Sequence, residues 1–304
     1  MSQGAANPRV SVVLNFFNMR REAARTLFSL TTVYQRSVSA EAYEVIAIDN
    51  GSAQPLDEDW VRSLGEQFRY LYFSDGSPSP CAALNQAVRQ AKADLIMCCI
   101  DGARILSPGV LHYTLASATL YDHPFVYTLG MHLGAKPQNI LVTEGYNQQV
   151  EDEILGSIDW QANGYRLFNI ACLALSSSRG FCAPPLESNC FALRKDDYCE
   201  LGGFDENFRS AGAGLANLDF FNRVHEVGKY SPVFLLGEAT FHQFHGGVGT
   251  NVPMASHPWQ SMVAEYLAIK GKPYTPASRP PDYYGSLPVE CVPFLVPEAG
   301  RGCG

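Results

Sequence analysis

Three short stretches decide the fold: VSVVLNFFN (residues 10–18), YEVIAIDNGS (43–52) and DLIMCCIDGA (94–103). Each is an apolar run of strand length that closes on Asn, Asp or Gly. An uninterrupted apolar run marks a strand buried on both faces, as in a parallel sheet covered by helices. Segments of helical period lie between them. In CAALNQAVRQAKA (81–93), Ala83, Leu84, Ala87, Val88 and Ala91 fall on one face. Over residues 9–100 the alternation reads β-α-β-α-β-α-β, which implies parallel pairing with right-handed crossovers. In such a sheet the polar strand ends collect at the carboxyl edge, where open α/β sheets bind ligands. Two later segments belong to the same ordered series, RKDDYCELGGFDENF (194–208) and FHQFHGG (241–247).

Composition bounds the rest. Hydrophobic residues make up 46% of the 304 and charged residues 17%, enough for a substantial core. The net charge of −8 argues against a nucleic-acid binder, which needs a basic face. No apolar run approaches the roughly 18 residues of a spanning helix, and MSQGAANPR has no apolar signal core. A cytoplasmic protein is expected. The nine cysteines lack zinc-ligand spacing, so buried reduced thiols are expected, with Cys303 in an exposed Gly-rich tail.

Further along the chain, helices are expected over 20–36, 57–68, 109–121, 217–227 and 259–270. Strands are expected over 69–73, 125–130, 188–194 and 233–236. Residues 131–188 are irregular and too long for a simple loop, so they have structure of their own or close over a ligand. Within them Trp160, Tyr165 and Phe168 read as core rather than as ligand-stacking platforms. A main domain over 1–250 and a Pro-rich extension over 251–304, packing on the domain or on a second subunit, are expected.

Together these segments resemble the family 2 glycosyltransferases, with a nucleotide-sugar-binding GT-A fold, over residues 9–248. LGGFDENF (201–208) is a specific match; IDGA (100–103) is partial. The resemblance implies a mostly parallel Rossmann-type sheet flanked by helices. It also implies a metal-dependent transferase moving a sugar from a nucleoside-diphosphate sugar, a UDP-sugar first among them, to an acceptor hydroxyl. The acceptor would be a saccharide or lipid-linked, as in polysaccharide or glycoconjugate synthesis. Such an enzyme can work at the inner membrane face, and the Pro-rich arm leaves room for a homo-oligomer.

By the same resemblance, Asp49 and Ser52 contact the nucleoside, with Phe16, Asn18 and Asn85 in the same pocket. Asp101 ends its strand where the family usually has Asp-x-Asp. Here Ala103 replaces the second carboxylate, so Arg104 is a candidate for the phosphates, and His242 and His245 for completing a Mn²⁺ or Mg²⁺ site. Because residues i and i+3 of an extended segment face opposite ways, only one of the two histidines is expected to reach the cleft. Asn189, Gly203 and Asp205 border the acceptor. The family's general base, an Asp in a Glu-Asp pair, falls at Ala216-Asn217, and Asn cannot take a proton at neutral pH. Asp219 and Glu187 are the remaining carboxylate candidates, although Asp219 lies about 200° around the helix from position 217. The missing base also motivates the alternative of a non-catalytic nucleotide-binding module. A nucleotidyltransferase would need a Gly-rich basic loop that NFFNMRR (15–21) does not supply.

Overall fold

The computed structural model describes residues 7–296. The expectations for the N-terminal MSQGAA, for Pro297 and for Cys303 lie outside them.

Four strands, β1 (Val10–Phe16), β2 (Tyr43–Asp49), β3 (Phe68–Tyr72) and β4 (Leu95–Cys99), form the parallel half. Helices α1 (Arg20–Phe28), α2 (Glu58–Ser63) and α3 (Cys81–Gln90) connect them. β1 pairs with β2 and β4, and β2 with β3, all parallel. β1, β2 and β4 are buried at every residue, which their unbroken apolar runs require.

The second half is β5 (Arg104–Leu106), α4 (Val110–Ser117), β6 (Pro124–Leu133), α5 (Gln138–Leu141), α6 (Gln148–Gly156) and β7 (Ala171–Leu173). β8 (Cys190–Arg194), α7 (Lys195–Glu200), α8 (Ala216–Val227), β9 (Ser231–His242), α9 (Trp259–Lys270) and β10 (Asp282–Gly285) follow. The strand order is β10-β9-β6-β8-β4-β1-β2-β3, with β5 on β9 and β7 on β6. β8 is antiparallel to both β4 and β6. It therefore starts at the edge where β4 ends. β6 and β9 are parallel, so β9 ends at that edge too.

Two differences from the expected elements have physical causes. The helix after β1 stops at Phe28, where Ser29 and Thr31 side chains bond back to backbone carbonyls and end it. β9 runs six residues past the expected 236, to His242, because β5 and β6 both pair with its second half. The core forms one apolar layer on each face of the sheet. Trp160 and Phe168 belong to it, and the Tyr165 hydroxyl bonds Glu238 at 2.6 Å. Cys81, Cys98, Cys99, Cys190 and Cys291 are buried thiols as expected, whereas Cys182 and Cys199 are exposed. Among the described residues no helix is long and apolar enough to cross a membrane.

Candidate active site

The strand directions bring Asp101, after β4, beside His242, at the end of β9. Asp101 Oδ2 lies 3.1 Å from His242 Nε2 and 3.8 Å from His245 Nε2. Both histidines reach the cluster, against the expectation of one. The strand ends at His242 and the chain then turns. Asn251 Oδ1 gathers the N–H groups of His245, Gly246 and Gly247 at 3.0, 3.0 and 3.1 Å, and this turn brings His245 round.

The histidine tautomer can be deduced. Gln138 Nε2 donates to the carbonyls of Leu133 and His242, so its Oε1 is an acceptor. That oxygen takes bonds from Asn251 Nδ2 at 2.8 Å and from His242 Nδ1 at 2.7 Å. The proton of His242 is therefore on Nδ1. The Nε2 lone pair faces Asp101 Oδ2, with His245 Nε2 at 3.2 Å and the Thr250 hydroxyl at 3.2 Å. Burial, the largest influence, pushes the His242 pKa down to about 4 despite Asp101, so a second proton does not readily bridge the pair. Burial would raise Asp101, but His245, His242 and Arg104 together hold it far below the usual carboxylate range. A carboxylate and two imidazole nitrogens, all within 4.8 Å of one another, fit a divalent cation. The Gln138 bond is the kind of outer support that orients a metal-ligating His.

The partial IDGA motif has a steric reason. Ala103 is 0% exposed, so a carboxylate at that position would enter the core. Gly102 is forced: a Cβ there would stand 2.5 Å from both the Asn15 carbonyl oxygen and the Phe16 ring. Arg104 sits opposite His242 in the β5–β9 ladder, its Nε 3.6 Å from Asp101 Oδ2. That Nε is buried and has no hydrogen-bond partner.

Glu187 and Asn189 precede β8 and come to the same edge, where the Asn189 carbonyl accepts from Ile100 N–H at 3.3 Å. Asn217 Nδ2 donates to Glu187 Oε2 at 2.7 Å and to Ser188 O at 3.1 Å. Burial raises the Glu187 pKa, with Asn217 and then Arg104 pulling against it.

Several of the expected site residues have partners within the chain. Asp49 is fully buried, and its two oxygens accept from Ser52 N and Leu56 N at 2.8 and 3.0 Å. It shapes the loop after β2. Phe16 is also fully buried, while Phe17 beside it, which sequence reading passed over, is 39% exposed. Asn85 has every polar atom engaged, bonding Phe204 N and O, Glu206 and the Tyr198 hydroxyl. It pins the Gly-Gly-Phe-Asp loop, where Gly203 has φ +65° and a Cβ would stand 2.6 Å from Asn85 Oδ1. Asp219 is tied to Arg223 at 2.8 Å and Lys270 at 3.0 Å in a buried ion-pair network. Gly203 and Asp205 line a separate cleft of about 350 Å³ with Asn85, Arg223 and Lys270, and Asp205 is held by Lys270 at 2.7 Å. Asn18 and Ser52 clip their two loops together, through Asn18 N to Ser52 Oγ at 2.8 Å and Ala53 N to Asn18 Oδ1 at 2.9 Å.

A family model described as "Glycosyltransferase like family 2" matches residues 11–236. No curated protein matches the chain. A structure of S. aureus TarS is similar with a TM-score of 0.50 at 12% identity, over 77% of this chain and 36% of that one. A second TarS structure, in complex with UDP, gives 0.49 at 13% identity over 77% and 60%. A mannosyltransferase from Pyrobaculum calidifontis in complex with GDP-Man and Mn²⁺ gives 0.45 at 16% identity over 89% and 66%. The chain spans less than two thirds of each of these solved chains. At such identities the likeness is one of fold.

Proposed function

The chain belongs to the family 2-like glycosyltransferases, with their GT-A fold, and from that membership we propose that it moves a sugar from a nucleoside-diphosphate sugar to an acceptor hydroxyl. The observation that carries this reading is the convergence of Asp101, His242 and His245 at the carboxyl edge. These three would hold a divalent cation, Mn²⁺ ahead of Mg²⁺ because two ligands are imidazoles. A cation bound there supplies positive charge against the donor diphosphate. Arg104, with its unpartnered Nε, adds a fixed cation beside the same group. Asn18, Ser52 and the exposed ring of Phe17 form the rim on which the nucleoside would rest.

Glu187 is the base in this reading. Its carboxylate takes the proton of the acceptor hydroxyl. The acceptor oxygen bonds to the anomeric carbon as the bond from that carbon to the diphosphate oxygen breaks, and the nucleoside diphosphate leaves with the electron pair. A carboxylate with a raised pKa suits this task better than an ordinary one. Asn217, at the position of the family's base, holds Glu187 in place instead of acting itself. The alternative of a binding module without chemistry rests on that same Asn217, and Glu187 2.7 Å away weakens it.

Calorimetric titration of UDP, GDP, CDP and dTDP, each with Mn²⁺, Mg²⁺ or a chelator, tests the donor site. Binding of one nucleotide that needs the cation and is lost in Asp101→Ala is expected. Equal binding by Asp101→Ala would end this assignment.

A further inference from the structure

The chain after α9 returns to this cleft along α8. Asn222 Nδ2 donates to Thr275 O at 2.7 Å, and its Oδ1 accepts from Ala277 N at 2.8 Å. Farther along the helix, His225 Nδ1 accepts from Arg279 N at 3.2 Å, and Arg279 Nη1 donates to Gly228 O at 2.6 Å. Arm and helix thus advance in the same direction. The residue before Thr275 therefore lies toward the first turn of α8, where Asn217 holds Glu187. That residue is Tyr274. Burial first, and then the charge of Glu187, push its phenol above the ordinary range. Its ring meets Tyr266 of α9 edge-on, with centroids 5.5 Å apart.

Two polar atoms here are buried and unpartnered, Tyr274 OH and Asn217 Oδ1. The Asn217 amide cannot be turned to hide its oxygen, because Nδ2 already serves two acceptors, Glu187 Oε2 and Ser188 O. Leaving such an atom unpaired is unfavourable, because its hydration is lost and nothing replaces it. Two of them at this end of α8, one on the amide that holds Glu187, describe a site that a ligand completes. The ligand must donate to Asn217 Oδ1, exchange a hydrogen bond with Tyr274 OH, and carry no negative charge next to Glu187. Neighbouring hydroxyls of a sugar ring meet all three conditions.

We propose that Asn217 and Tyr274 form the acceptor subsite, that its ligand is a saccharide, and that the C-terminal arm is one of its walls. This rests on Glu187 as the base. It moves acceptor recognition away from Gly203 and Asp205, whose polar groups are already engaged by Arg223 and Lys270.

The test uses the full chain, with saturation-transfer NMR of the methyl glycosides of glucose, galactose, mannose and N-acetylglucosamine. Titrations are run in the presence of Mn²⁺ with UDP or GDP. At least one glycoside is expected to bind the wild type and to bind Tyr274→Phe roughly tenfold more weakly. The nucleotide Kd should stay unchanged in that variant, and its melting temperature should not fall, because the hydroxyl removed has no partner in the free protein. Equal glycoside affinity in Tyr274→Phe overturns the proposal, and so does the absence of any glycoside signal with the wild type. If no nucleotide binds while a glycoside still binds through Tyr274, the donor-site reading falls and the subsite stands.

Discussion

Asn217 donates to Glu187 across 30 residues of sequence, and this pair carries the catalytic assignment. Glu187→Gln keeps the shape and removes the proton acceptor. Transfer should fall by two to four orders of magnitude, roughly the usual contribution of a general base, with nucleotide binding unchanged. A loss of nucleotide binding in Glu187→Gln would mean that it serves the donor instead. Asn217→Asp is the sharper case. It sets two carboxylates together where the amide N and a carboxylate oxygen now stand 2.7 Å apart, and like charges that close share a proton. The apparent pKa of the pair rises, so the acidic limb of the pH–rate profile should move to higher pH. An unmoved limb would show that Glu187 is not the titrating base. Gln138 acts on the other side of the cleft. Gln138→Met should weaken Mn²⁺ binding by about 10- to 100-fold, the usual effect of losing an outer hydrogen bond to a ligand. Calorimetry with Mn²⁺ alone reads this without any substrate, and unchanged affinity would remove Gln138 from the site. Asp101 was legible as a strand-end residue of ligating type, and His242 and His245 as a pair of which only one was expected to reach the cleft. Gln138 and Asn251 were not. Amides have no diagnostic spacing, and Gln138 stands 104 residues from His242 and 113 from Asn251.

The elements were most legible where burial is complete on both sides of a strand. β1, β2 and β4 announce themselves because no solvent face interrupts their apolar runs. The stretch 131–188 gave no period, because long-range polar contacts hold its pieces. Glu151 of α6, 0% exposed, accepts the Phe244 N–H at 2.6 Å and so pins the loop that carries His245. β10 was missed for a different reason. It is an edge strand, mostly exposed, and only its parallel register with β9 makes it a strand. α9 is fastened to the main sheet unit by Lys270, which bridges Asp205 at 2.7 Å and the buried Asp219 at 3.0 Å. Lys270→Ala leaves Asp219 with Arg223 alone. The expected loss is about 1–2 kcal/mol, below the cost of a fully isolated buried charge. The urea midpoint should drop, and limited proteolysis should speed up first within 259–279. An unchanged midpoint would show that the arm is held by its apolar contacts and by Asn222.

Across the whole molecule, buried titratable groups far from the cleft set how stability depends on pH, and Glu238 is the clearest. It lies in mid-β9, 0% exposed, and accepts from the Ser107 hydroxyl, the Tyr165 hydroxyl at 2.6 Å and Gly109 N at 3.1 Å. Burial outweighs these bonds and raises its pKa from 4.5 to about 7. The folded chain then holds a proton that the unfolded chain has released. Below about pH 4.5 both states are protonated and the contribution is fully present; it is lost as pH rises through 7. Over that window the loss is on the order of 3 kcal/mol. His225, pushed down by burial to about 4, works the opposite way and loses stability as pH falls below the ordinary histidine range. The two slopes overlap in the wild type, so a single stability curve does not separate them. Glu238→Gln keeps the size and an acceptor and removes only the titration. The stability of the wild type minus that of Glu238→Gln should fall between pH 4.5 and 7 while the histidine slope cancels in the difference. Urea unfolding at half-unit pH steps measures it. A difference flat across the window would mean that the three hydrogen bonds keep Glu238 ionised, and that its charge is accommodated at the centre of the sheet.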